Sequence, residues 1–304
     1  MVPKATHSVI EVIYEREPEQ RAVDPTRIAS IALCVNILLG VNILLGVNIL
    51  LCVNILAAIT SNQPGFTPLL VHGRPLKRCN KSYNKRRAKV QSCLPADHFS
   101  SRALEEMTDA RTRRITSYLH TASRALIDPL VHEGIGTLVI GKNDGWKQQV
   151  RMGKRNNQAF VFIPHARFIA MLTYKAALVG MEVVTIEESH TSKWSFLDLE
   201  PIEHHDRYLG KRVKRGLFVA SAGQAIHADV NASYNILRRY APLVTAPHVT
   251  APHVTAPLVT APLVAAQGVT AQGVSGFLRR PVSLRLPDRR QDRNKQLPRR
   301  KARE

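Results

Sequence analysis

Residues Pro164 to Glu188 read PHARFIAMLTYKAALVGMEVVTIEE, a helical pattern followed at once by a strand pattern. The helix candidate extends back to Asn157, with Phe160, Ile163, Phe168, Leu172 and Leu178 as its apolar positions, and Pro164 marks the expected start. Met181 to Ile186 is a strand that ends in the carboxylate pair Glu187-Glu188. Upstream, Thr137-Leu138-Val139-Ile140 is a short apolar strand stopped by Gly141. Arg74 to Val131 is basic and helix-compatible, with Leu104, Met107, Ile115, Leu119, Ala122 and Leu126 loosely periodic. Leu56–Thr60 and Leu69–His72 read as strands joined through the turn Asn62-Gln63-Pro64-Gly65. Downstream, Leu217–Val219 is a strand and Asp229–Tyr240 a terminal helix. This order predicts a mixed α/β sheet with flanking helices. Carboxylates at strand ends and at a helix start (Glu187, Glu188, Asp229) are what a metal-dependent phosphodiesterase needs.

Two tandem repeats flank or interrupt this pattern. Leu33 to Leu56 is LCVNIL, LGVNIL, LGVNIL, LCVNIL, and Ala241 onward runs APLVT, APHVT, APHVT, APLVT, APLV before decaying towards Phe277. Units of six and five residues are far short of the roughly 20 that a stacking solenoid unit requires. The first repeat belongs to an uncharged run, Ile28 to Ile59, long enough for a membrane span. However, Asn36, Asn42, Asn48 and Asn54 would scatter around a helix and meet lipid, whereas on a strand they share one face. A duplicated strand is therefore preferred to a membrane anchor. Proline every five residues makes 241–277 an extended linker. Residues 278–304, with eleven Lys/Arg against three acids, read as a basic disordered tail.

The whole chain has 304 residues and carries 43 Lys+Arg against 23 Asp+Glu, a formal charge of +20 with pI near 10.4. An acidic polymer, a nucleic acid or an anionic membrane face, is the partner class that this charge favours; no small-molecule site suggests itself. Four cysteines without a C-x-x-C pair exclude a disulfide-stapled secreted scaffold and a self-contained Cys zinc finger. They suit a reducing cytoplasm, and the charge suits association with the nucleoid.

Five blocks then carry a family likeness: LVIGKNDGWKQ (Leu138–Gln148), FIPHARFIAMLTYKAALVG (Phe162–Gly180), EESHTSKWSFLDLE (Glu187–Glu200), YLGKRVKRGLF (Tyr208–Phe218) and HADVNASYNILRR (His227–Arg239). In order and spacing they resemble the OrfB/TnpB proteins of insertion sequences, RNA-guided DNA endonucleases often called transposases. The likeness takes in ASIALCVN and LAAITSNQPGF as well, so it covers about Pro25 to Pro242. It implies a RuvC-like, RNase H-fold nuclease domain over 25–240, interrupted by a repeat insertion at 33–56 and a helical insertion at 74–131. Residues 1–24 would be the remnant of an amino-terminal recognition region, the rest of which is expected to be missing. The implied partners are DNA and a guide RNA, and the implied cofactor is a pair of Mg²⁺ ions held by three carboxylates.

By that resemblance Asp229 matches the last metal-binding acid. The middle acid normally ends the strand at Leu138–Ile140, but Gly141-Lys142-Asn143 follows here, so Glu187 or Glu188 is the relocated candidate. The first acid belongs in a motif like A-S-I-D-L-G-V-N, where this chain has Ala29-Ser30-Ile31-Ala32-Leu33. Ala32 occupies the aspartate slot, so the expectation is a nuclease homologue that has lost catalysis. The family's paired zinc cysteines are also absent from Thr191–Ser195, leaving only His190, His204 and His205 as weak substitutes. The alternative reading is a non-catalytic nucleic-acid-binding protein. Its phosphate contacts would come from Lys85, Arg86, Arg87, Lys142, Lys147, Arg151, Lys154, Arg155, Lys211, Arg212, Lys214 and Arg215.

Overall fold

A computed structural model of the chain describes residues 21–33, 55–143, 163–214 and 216–242, with short pieces at 2–3, 8–9, 15, 17–19, 282–284 and 286. The expectations for most of the hexapeptide repeat, the pentapeptide linker, the GWKQ block and most of the basic tail lie outside these residues. At the amino terminus β1 (Val2–Pro3) pairs antiparallel with β2 (Ser8–Val9).

The centre of the molecule is β3 (Asp24–Leu33), whose second half is fully buried because Ala, Ser, Ile and Leu face helices on both sides. β4 (Ile55–Ser61) pairs antiparallel with it, Ile31 opposite Ile59 and Ala32 opposite Ala58. β5 (Leu69–His72) returns antiparallel to β4, through a turn in which Gly65 takes φ 78°. A helical hairpin then crosses over: α1 (Arg74–Gln91) and α2 (Arg102–His132). β6 (Ile135–Gly141) lies parallel to β3 on its other side. Gly136 permits that approach, since a Cβ there would stand 2.4 Å from the backbone of Asp24. α3 (His165–Ala177), capped at Pro164, leads into β7 (Glu182–Ile186), parallel to β6. Beyond it a small antiparallel sheet forms from β8 (Lys211–Lys214), β9 (Leu217–Val219) and β10 (Ala225–His227), and α4 (Ala228–Tyr240) follows.

The large sheet therefore runs β5-β4-β3-β6-β7, with β4 alone antiparallel to the rest. That is a mixed sheet with flanking helices, as the sequence led one to expect. Period-two alternation sorts β3 between two cores. Ala29, Ile31 and Leu33 join the layer that contains Leu119, Leu126, Phe168 and Leu172 of α2 and α3. Ile28 and Ala32 join the layer that contains Val230, Ile236 and Leu237 of α4.

Four features bear on the sequence reading, each with a physical cause. The 74–131 stretch is two helices, because Ser92–Ser101 includes Pro95, and Ser101 caps the second helix by accepting from the Leu104 N–H. β8 and β10 are too charged or too short to show periodicity. The flanks of the uncharged run, Ile28–Leu33 and Ile55–Ile59, are antiparallel strands of one sheet rather than parts of one spanning helix. Among the described residues no helix is long and apolar enough to cross a membrane. Finally, within the segment read as a disordered tail, β11 (Val282–Leu284) adds parallel to the open edge of β5. Leu284 and Leu286 pack on the core there, so pairing and burial override a basic, proline-flanked composition.

Candidate active site

α4 is docked onto the sheet by a buried hydroxyl cluster. The Ser30 hydroxyl lies 2.7 Å from the carbonyl of Ser233 and 2.9 Å from Thr60 Oγ1, and the Ser233 hydroxyl donates to the Ser30 carbonyl. All three side chains are completely buried, so each polar atom needs these partners. This fixes the face of β3 that looks at α4. Ala32, two residues along, points to that same face, among Ala58, Val139 and Ile236. No carboxylate stands at that point of the strand.

Asp229 lies in the first turn of α4 and is almost fully buried. It is not the helix N-cap. That position belongs to His227, whose Nδ1 accepts from the Asp229 N–H at 3.3 Å. Burial holds His227 below the ordinary imidazole range, against the opposing pull of Asp229, so near neutral pH its ring is an acceptor. The carboxylate of Asp229 takes a hydrogen bond and ion pair from Arg212 Nη2 at 3.3 Å. Arg212 comes from β8, so the small sheet presents a fixed cation to the helix start.

The two glutamates at the end of β7 part company. Glu187 is exposed; it pairs with Arg239 at 3.6 Å and accepts from the Ser189 hydroxyl. Glu188 turns inward. Its N–H donates to Asn143 Oδ1 at 2.9 Å, and its carboxyl reaches across to the end of β6. A Cβ added at Gly141 would stand 2.6 Å from Glu188 Oε2 and 2.5 Å from Ile236 Cδ1. Gly141 thus leaves open, where β6 ends, the space that the Glu188 carboxyl fills from the neighbouring strand. Burial pushes this carboxyl up to about 7.

These residues do not fit a pair of divalent cations. Arg212 already compensates Asp229, and Ala32 offers no oxygen. Among the described residues no group of three or more His, Cys, Asp or Glu side chains is placed to hold a metal.

The remaining expectations are distributed as follows. Lys85, Arg86 and Arg87 are exposed on α1, Lys142 is exposed at the end of β6, and Lys211 is exposed on β8. Lys214 is on β8 as well. Arg212 faces Asp229 instead of open solvent. Lys147, Arg151, Lys154, Arg155 and Arg215 lie outside the described residues.

The sequence reading missed the groups that hold Thr191–Glu200 in place. Asn231 and Asn235, four apart on α4, both donate to the Trp194 carbonyl at 2.7 Å; Asn235 also donates to Thr191 O, and Asn231 accepts from the Phe196 N–H. Buried Glu200 accepts from the N–H groups of Ser195 and Leu209. The i, i+4 spacing in ADVNASYN is the signal that could have found the two asparagines.

The chain resembles known proteins in both sequence and structure comparisons. A family model described as "Probable transposase" (OrfB_IS605) matches residues 11–147, and the model of the "Cas12f1-like, TNB domain" matches residues 165–236. The TnpB-like protein ORF457 of Acidianus two-tailed virus is 26% identical over 132 residues, 43% of this chain and 26% of that protein. A Cas12f1–sgRNA–target DNA complex superposes with TM-score 0.47 at 16% identity, over 70% of this chain and 50% of that one. A CRISPR-Cas12f ternary complex gives 0.49 at 16% identity, over 73% and 40%. The chain thus spans about a quarter of the curated relative and half or less of those structures. On the two family models, which follow one another along the sheet and its terminal helix, the chain belongs to the OrfB/TnpB family of transposase-associated proteins.

Proposed function

We propose that this chain is an OrfB/TnpB-type nucleic-acid-binding protein whose nuclease centre no longer assembles, so that it engages DNA or RNA without cutting it. The observation that carries the reading is Ala32, which faces α4 where a two-cation centre needs its first carboxylate. The Arg212–Asp229 pair supports it, because a guanidinium supplies the positive charge that a cation would otherwise bring. Binding follows from the net charge of +20 and from the exposed cations on α1, β6 and β8. DNA is the proposed target, with a guide RNA as the inherited second partner and the nucleoid as the proposed location. The test is to express the full chain together with the transcript that flanks its gene, then assay DNA binding and Mg²⁺-dependent cleavage side by side. Expected are salt-dependent binding and no cleavage above that of Asp229→Ala. Mg²⁺-dependent cleavage lost in Asp229→Ala would overturn the reading.

A further inference from the structure

The hairpin of α1 and α2 extends past the sheet. Its register follows from two contacts: Arg111 Nε donates to Asn80 Oδ1 at 2.7 Å, and the Tyr83 hydroxyl meets Thr108 Oγ1 at 2.9 Å. Arg111 also lies over the Tyr83 ring, 5.1 Å from its centroid. Along α1 only Leu76 and Asn80, in the turns nearest the sheet, are buried. The distal turns carry Lys81, Lys85, Arg86, Arg87 and Lys89, all exposed, and among the described residues none of the five is paired with a carboxylate. Lys81, Lys85 and Lys89 recur every four residues, so they form one stripe, turned away from the side of Asn80 and Tyr83. At the tip, in the connection Ser92–Ser101, Phe99 is 83% exposed, more than any other large apolar side chain described. Phe99 lies three residues before α2 begins at Arg102, in the connection that follows α1, and so at the same end of the hairpin as Lys89.

An isolated exposed phenylalanine has an unfavourable hydration that neither helix relieves. At the same end as a row of cations, a base whose phosphates the lysines hold is a chemical complement to it. We propose that the tip of this hairpin is a binding arm for single-stranded nucleic acid, Phe99 stacking an unpaired base while Lys85, Arg86 and Lys89 hold the adjacent phosphates. Stacking needs an unpaired base face, so the arm discriminates single strands from duplexes without reading sequence. This rests on the nucleic-acid-binding reading above and adds to it which strand form is bound, and where.

The experiment uses the full chain and fluorescence anisotropy with a labelled 20-nucleotide mixed-sequence single strand and its duplex, each over a salt series. Phe99→Ala is expected to weaken single-strand binding about 5-fold or more, the low end of base–aromatic stacking, with duplex affinity and salt slope unchanged. Phe99→Trp is expected to retain single-strand binding. Replacing Lys85, Arg86 and Lys89 together by alanine is expected to lower the slope of log K against log salt, by about 0.7 for each single-strand phosphate that is no longer neutralised. Equal weakening on both strand forms, or none, with Phe99→Ala would overturn the arm while leaving the general reading intact. If Phe99→Ala instead abolishes self-association in sedimentation, Phe99 is a protein contact and the proposal fails. A wild-type chain that binds neither strand would overturn the proposal and the general reading together.

Discussion

At residue scale, the compensation of three carboxyl groups sets the chemistry of the site. Glu188 sits in the space left by Gly141, and its raised affinity for protons has a thermodynamic consequence. The folded carboxyl titrates near 7 and the unfolded one near 4.5, so the folded state binds the extra proton between those values. Stability attributable to this group is therefore present below about pH 4.5, declines as pH rises, and levels off above about 7. Glu188→Gln is expected to be near neutral at pH 5 and stabilising by about 1–3 kcal/mol at pH 8, as read by urea denaturation at the two pH values. Asp229 is compensated by an ion pair instead. Its partner Arg212 is 36% exposed, so Arg212→Gln is expected to cost about 1–2 kcal/mol, below the 3–5 typical of a fully buried pair. In an Asp229→Asn background the same change is expected to cost nearly nothing, and a double-mutant cycle measures the difference. The acids were legible in the sequence because strand ends and a helix start place them; the choice between Glu187 and Glu188 was not. Adjacent residues on a strand end face opposite ways, and only the neighbouring glycine shows which way is in.

At the scale of elements, α4 organises what surrounds it. Its Asn231 and Asn235 tie down Thr191–Glu200, the segment in which the family resemblance leads one to expect paired zinc cysteines. Asn231→Ala removes the acceptor that Asn231 Oδ1 offers the Phe196 N–H and one of the two donors to the Trp194 carbonyl. It is expected to cost about 2 kcal/mol and, in a Trp146→Phe background, to red-shift the emission of the buried Trp194. Ser233→Ala is expected to destabilise by about 1–3 kcal/mol by leaving the buried Ser30 and Thr60 hydroxyls short of a partner. Thermal unfolding of the full chain checks both. The major elements could be read from apolar runs and periodicity, since β6 is an apolar run and α3 buries Phe168, Met171, Leu172 and Ala176. β8 and β10 could not, being too charged or too short, and neither could β11, whose partner β5 is distant in sequence. The charged run KRVK at Lys211–Lys214 looks like solvated surface until β9 lies beside it and Arg212 meets Asp229. The hydroxyl cluster of Ser30, Thr60 and Ser233 was equally invisible, as it joins three elements up to 203 residues apart.

For the whole molecule, a mixed sheet carrying a net charge of +20 is expected to bind nucleic acid with an affinity that salt weakens steeply. The central claim is narrower, that the remaining acids no longer form a divalent-cation centre. Mn²⁺ binding followed by electron paramagnetic resonance tests it without needing a guide RNA or a target. The full-length chain and its Asp229→Ala variant are titrated with Mn²⁺ at pH 7.5 in moderate salt, and free ion is counted from its solution signal. The account expects the two titrations to coincide, leaving only weak sites that salt competes away. A stoichiometric, salt-resistant Mn²⁺ site present in the wild type and absent in Asp229→Ala would contradict it.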